Sequence, residues 1–127
     1  MKTLLGIAAG GALAVLARAG LSELLTDPSR LSFPWATLAA NAAGCLMIGL
    51  LSGYAARRNL PQALLEAVRT GFIGGFTTFS AFSVETIRLL DAGHAASAAI
   101  YVLTSILLGF CLTLLGLRIG RRDHATG

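Results

Sequence analysis

Gly71-Phe72-Ile73-Gly74-Gly75-Phe76-Thr77-Thr78-Phe79-Ser80-Ala81-Phe82-Ser83-Val84-Glu85 is the stretch that decides the fold. Four of the six phenylalanines fall within these residues, interleaved with hydroxyls and with a glycine pair in the middle. Two glycines followed by two β-branched threonines make a poor continuous helix. Inside a membrane, a break frees backbone carbonyls, which is tolerated only where protein or an ion satisfies them. Unwound carbonyls that coordinate a cation are one transporter device of this kind. The other reading is a merely kinked helix whose hydroxyls bond back to their own carbonyls, and spacing alone does not separate the two.

The surrounding chain supplies the membrane. Its 127 residues are one domain's worth of sequence, 55% hydrophobic and only 13% charged. Soluble domains carry about 25% charged residues, so the charge here is too sparse to coat a globule in water. A mean hydropathy of +0.75 points the same way. The composition argues against a cytosolic enzyme and against a disordered chain. Crossing a hydrocarbon core takes roughly 20 apolar helical residues. Residues 35–56 and 95–117 carry no charge at all, residues 4–25 carry Arg18 and Glu23, and residues 62–90 are interrupted by Glu66, Arg69, Glu85 and Arg88. The expectation is a single all-α membrane domain over residues 1–127, with four spans at about 4–25, 35–56, 62–90 and 95–117. The third is broken near Gly74–Thr78, and a short basic tail covers 118–127. Met1-Lys2, an apolar run and Ala12-Leu13-Ala14 imitate a signal peptide. The run continues past that site without a polar segment, so it is read as a span. The linkers at 26–30, 57–61 and 91–94 are too short for an extramembrane domain, which places function within the bilayer.

Polar groups inside the spans are therefore the candidates, because each is costly in hydrocarbon without a partner, cavity or pathway. Arg18 either snorkels to the headgroups or marks the mouth of a pathway. Asn41 is too short to snorkel and needs either a neighbouring helix or a ligand. Phe79 and Phe82 share a helical face, with Ser80 and Ser83 as a second pair. Such a stripe is usually core, yet ring edges are partly positive and suit a small anion beside hydroxyl donors. Tyr101, Ser105 and Gly109 follow four-residue spacing, with Thr104 and Thr113 nearby. Neither His94 nor His124 lies within a span, no Asp does, and no nucleophile–base pair is visible. Cys45 and Cys111 lack partners at ligand spacing and read as small buried residues. Donors dominate, which fits transport of a small anion better than catalysis. Four short spans enclose little space, so an oligomer is expected. Gly6/Gly10 and Gly49/Gly53 allow close helix contact, within the subunit or between subunits.

In this setting the sequence resembles the Fluc/CrcB family of fluoride channels along essentially its whole length. Gly10-Gly11 with Arg18 resembles the family's first-span motif, and Thr37-Leu38, Asn41 and Gly44 its second-span pattern. The run from Gly74 to Glu85 is close to the family's central signature. The resemblance implies a passive, fluoride-selective channel in the bacterial inner (plasma) membrane, exporting cytoplasmic fluoride for resistance. It further implies an antiparallel, dual-topology dimer with two pores lined by both copies. By motif position Asn41 would donate to fluoride, and Phe79 and Phe82 would supply ring edges. Thr37, Ser80, Ser83, Tyr101, Ser105 and Thr113 would match the polar track, Arg18 the vestibule arginine, and Glu85 a carboxylate beside the aromatics. Backbone carbonyls of Gly74 and Thr77 would hold a central structural Na⁺. Gly109 stands where the family often carries serine, which would make the fourth-span lining less polar.

The charge distribution carries a second message. The net charge is +4, but the basic residues interrupt apolar runs and form no stripe, which argues against nucleic acid. Lys2, Arg57, Arg58, Arg69, Arg118, Arg121 and Arg122 fall on one side of a four-span arrangement, against Arg30 and Arg88 on the other. That bias predicts cytoplasmic termini. A chain inserting both ways should show little bias, so this one is expected either to rely on other insertion signals and pair with a second copy, or to pair with an oppositely oriented homologue. A small four-span proton-coupled multidrug antiporter is the alternative function. It would need an intramembrane carboxylate, and in the first span Glu23 alone is available, near the end and beside Arg18.

Overall fold

The computed structural model describes residues 1–25 and 33–122. The first linker, with Arg30, and the last five residues, with His124, lie outside them. The described residues form helices and no strand: α1 Lys2–Leu25, α2 Trp35–Ala55, α3 Gln62–Glu66, a π-helical stretch Ala67–Ile73, α4 Gly74–Phe76, α5 Phe79–Asp91 and α6 Ala95–Arg121. Helices α1, α2 and α6 are each long and apolar enough to cross a membrane. The stretch 62–91 between α2 and α6 is helical in pieces. Helix α6 runs on past residue 117, carrying Arg118 and Arg121 in its last turn, where cations complement the helix dipole.

The break falls at the two threonines. Gly74 keeps helical angles (φ −64°, ψ −33°), whereas Thr77 (φ −76°, ψ 147°) and Thr78 (φ −143°, ψ 119°) are extended. The segment is therefore interrupted, not kinked. Thr78 then caps α5, its Oγ1 accepting from the Ala81 N–H at 3.2 Å, a role for which threonine is well suited. Of the glycine pair, Gly75 serves packing instead, lying against Ala14 and Gly11 of α1.

Glycine contacts fix the helix directions. Gly49 and Gly53 of α2 meet Thr113 and Leu117 of α6, while Gly116 and Gly120 of α6 meet Leu46 and Leu50 in return. Residue numbers rise together, so α2 and α6 run parallel. A methyl group on Gly53 would stand 2.6 Å from the Leu117 carbonyl oxygen, and one on Gly71 would stand 2.6 Å from that of Ile7. No side chain fits at such distances, so these helices touch backbone to backbone. Gly6 and Gly10 face Ala63, Ala67 and Phe72 in the same way, which makes α1 parallel to residues 62–76. Both glycine pairs are thus used inside the subunit. The segment 62–91 runs antiparallel to α2, since Asn41 meets Thr78 and Thr37 meets Glu85.

Two apolar clusters flank the break. Ala14, Ala40 and Phe76 pack with Met47 and Phe72 before it, and Leu38, Leu89, Ala98 and Tyr101 pack with Phe82 after it. The turn between α5 and α6 uses Gly93 at φ +79°, a left-handed angle that costs glycine little. It lets the His94 N–H return to the Leu89 carbonyl at 2.8 Å. Outside these clusters the helices stay apolar and uncovered. Ala14 is the one buried residue of α1, and Leu4, Leu5, Leu16, Leu103, Leu107 and Phe110 are all exposed. Such a surface suits lipid or another helix, not water.

Candidate functional site

Asn41 lies on α2, one turn after Thr37 and three residues before Gly44, facing the break. Its Nδ2 donates to the Thr78 carbonyl at 3.1 Å, and its Oδ1 accepts from the Thr78 N–H at 2.8 Å. One carboxamide thus satisfies both main-chain groups of an extended residue. Gly44 leaves the space that the Thr77 methyl fills, while Thr77 Oγ1 bonds back to the Ile73 carbonyl at 3.0 Å.

In a continuous helix, the Thr78 N–H would bond to the Gly74 carbonyl and the Ala81 N–H to that of Thr77. Here the first donates to Asn41 Oδ1 and the second to Thr78 Oγ1. The carbonyls of Gly74 and Thr77 therefore lose their helical donors, which is the condition a cation site made of backbone oxygens requires. Two oxygens are few for a hard cation, which normally takes several.

An open groove of about 530 Å³ runs past this junction, lined by Asn41, Gly74, Thr77, Phe79, Phe82 and Ser105 among others. Phe79 is 80% exposed, and its ring centre lies 5.7 Å from that of the half-buried Phe82. Phe82 packs in turn on Tyr101 at 5.1 Å. Arg69 also lines this groove, and among the described residues no Asp or Glu does. A separate cleft of about 200 Å³ brings together Arg18, Ser22, Thr37 and Glu85. There Glu85 accepts from Thr37 Oγ1 and from Tyr101 OH, both at 2.7 Å.

The sequence candidates thus divide. Asn41, Phe79, Phe82, Ser105, Gly74 and Thr77 meet in the groove, and Arg18, Thr37 and Glu85 meet in the cleft. Tyr101 is fully buried between the two sets, through its ring contact and its bond to Glu85. Ser80 lies beside Thr78, 3.1 Å between hydroxyl oxygens. Ser83 and Ser105 donate to the carbonyls of Phe79 (2.9 Å) and Tyr101 (2.7 Å), so these hydroxyls are back-bonded. Thr113 is elsewhere, bonding across to the Cys45 carbonyl at 3.2 Å. Gly109 faces Cys45, where an added methyl would stand 3.2 Å from Sγ. Thr78 is both cap and Asn41 partner, whereas the sequence marks it only as part of the break and its run of hydroxyls, and Arg69 only as an interruption of the third span and a topology charge. Helical spacing carried a signal for the latter, because Arg69, Ile73 and Thr77 follow four-residue steps.

The profile of the family described as "CrcB-like protein, Camphor Resistance (CrcB)" matches residues 5–117. The chain belongs to this family. Relatives include a Paracoccus denitrificans protein named fluoride-specific ion channel FluC, 44% identical over 119 residues, covering 94% of each chain. An Azotobacter vinelandii protein of the same name is 45% identical, covering 89% of this chain and 92% of its own. Another from Thermus thermophilus is 42% identical, covering 94% and 96%. Membership in this family, together with three membrane-length apolar helices, makes the CrcB-family chain a multi-pass membrane protein of a channel family and not an enzyme.

Proposed function

We propose that this chain is a passive, fluoride-selective channel that lets cytoplasmic fluoride leave the cell and so confers fluoride resistance. The relatives' names support the ion. The observation that carries the reading is the Asn41 carboxamide. Bonded twice to Thr78, it holds one orientation and retains a second Nδ2 hydrogen for an ion in the groove. Fluoride is small and strongly hydrated, so a path must replace its water with directed donors yet bind weakly enough for release. A neutral amide N–H and the edges of Phe79 and Phe82 meet that need, whereas direct arginine contact would hold the ion. Ser83 and Ser105 would serve by swinging their hydroxyls off the Phe79 and Tyr101 carbonyls as an ion passes.

The segment 62–91 makes the fourth crossing, in the bacterial inner membrane. The working unit is an antiparallel pair, because one copy leaves the groove open along its side and the Gly74 and Thr77 carbonyls number two per copy. Four such oxygens from a pair would hold Na⁺, whose fixed charge would also favour a nearby anion. Transport needs no energy input: a potential of 100 mV is worth about 2.3 kcal/mol per charge, roughly a fifty-fold ratio at equilibrium. The antiporter alternative is disfavoured by a groove that no carboxylate lines among the described residues.

The test is efflux from liposomes containing purified protein, read with a fluoride electrode and repeated with chloride. Rapid fluoride loss with little chloride loss is expected. Proton-coupled cation exchange, or no fluoride flux from a folded protein, would refute the proposal.

A further inference from the structure

Arg69 is the charge that the pathway described so far does not use. It lies on the π-helical stretch Ala67–Ile73, is exposed, and lines the groove with Ile73, Thr77 and Asn41. No hydrogen bond or ion pair engages its guanidinium among the described residues. Glu66, one turn earlier, is already engaged, by Gln62 Nε2 at 3.2 Å and Thr70 Oγ1 at 2.7 Å.

An arginine within a membrane segment is costly unless it reaches water, headgroups or a counter-charge. Arg69 comes seven residues after Gln62, roughly 10 Å along a helix axis, so it sits that far along the segment from the end that holds Arg57 and Arg58. A wet groove would hydrate it there, and apolar walls focus the field of a single charge along such a groove. Arg18 is placed differently, because Glu85 lines the same cleft and opposes its field.

We propose that Arg69 draws the small anion into the groove of its own subunit and keeps cations out of it. The proposal rests on the anion-channel function. Arg69 acts through water at the groove's basic end, and Asn41 makes the neutral contact further in. A charge that acts through solvent is sensitive to salt, whereas a packing role is not.

The experiment compares wild type with R69Q and R69K, full-length, in vesicles of zwitterionic lipid. Initial fluoride efflux is measured at about 0.01 M and about 1 M salt, where the Debye length is about 30 Å and about 3 Å. At low salt R69Q should be roughly fivefold slower, the size of one charge acting across water at short range. R69K should stay near wild type, and the R69Q deficit should vanish at high salt, which also certifies that the variant is folded. Equal rates for R69Q and wild type at low salt would overturn the proposal. So would a deficit of the same size at both salts, or an R69K as slow as R69Q. Wild-type protein without fluoride flux would instead bring down the channel function itself, a separate and distinguishable failure.

Discussion

The carboxamide of Asn41 is bonded to both the N–H and the C=O of Thr78, at 2.8 and 3.1 Å. That pair of hydrogen bonds joins α2 to the only extended residues in the described part of segment 62–91, and it leaves the Gly74 carbonyl without its helical donor. Fold and site are therefore linked through one side chain.

Replacing Asn41 separates its two roles. In Asn41→Asp one oxygen can still accept from Thr78 N–H, but the other faces the Thr78 carbonyl, and the remaining donor to the groove is gone. Fluoride flux should fall at least tenfold. Asn41→Ala leaves both Thr78 groups unpaired and should cost about 2–6 kcal/mol as well, at about 1–3 kcal/mol for each group. Chemical denaturation in detergent beside a flux assay checks both.

Phe79 and Phe82 differ in burial, so their variants should differ too. Phe79 is 80% exposed, and Phe79→Ile should lower flux with a stability change within about 0.5 kcal/mol. Phe82 packs against Tyr101, so Phe82→Ile should lower flux and also cost about 1–2 kcal/mol. Unchanged flux in both would make these rings core and not lining.

Tyr101→Phe tests whether the hydroxyl acts on the ion or on Glu85. The ring is fully buried, and its OH donates to Glu85 Oε2. Removing it should destabilise the protein by about 1–3 kcal/mol, through an unpaired carboxylate oxygen, while flux falls only a few-fold. Complete loss of flux with unchanged stability would place the hydroxyl on the path.

If the proposed Na⁺ site joins the proposed pair, exchanging Na⁺ for a cation too large for backbone carbonyls should weaken that pair and lower flux together, with recovery on readdition. A sodium titration followed by thermal melting reads the first effect, and the liposome assay reads the second. Indifference to the cation would remove Gly74 and Thr77 from the proposed site.

The membrane character and the weak point in segment 62–91 were legible because each depends on local composition, whereas spacing alone did not separate a break from a kink. Charge-free runs mark α2 and α6, and two β-branched threonines after two glycines mark the break. Packing was less legible. Gly49 and Gly53 could serve either interface by spacing, and only the close approach of Thr113 and Leu117 shows that they are used within the subunit. The same holds for hydroxyls. Ser83 and Ser105 read as track donors, yet back-bonding to Phe79 and Tyr101 depends on rotamers that sequence does not carry. The division of Arg18, Thr37 and Glu85 from the Asn41 groove is set by how helices cross, which no motif records.

The most direct test of the central claim is the reversal potential of currents through purified protein in a planar bilayer, under a tenfold fluoride gradient with symmetric chloride, sodium and protons. Passive fluoride selectivity predicts a reversal near the fluoride equilibrium potential, about 59 mV for a tenfold ratio of a monovalent ion. A reversal near zero would contradict it, as would one that shifts with the proton or sodium gradient instead.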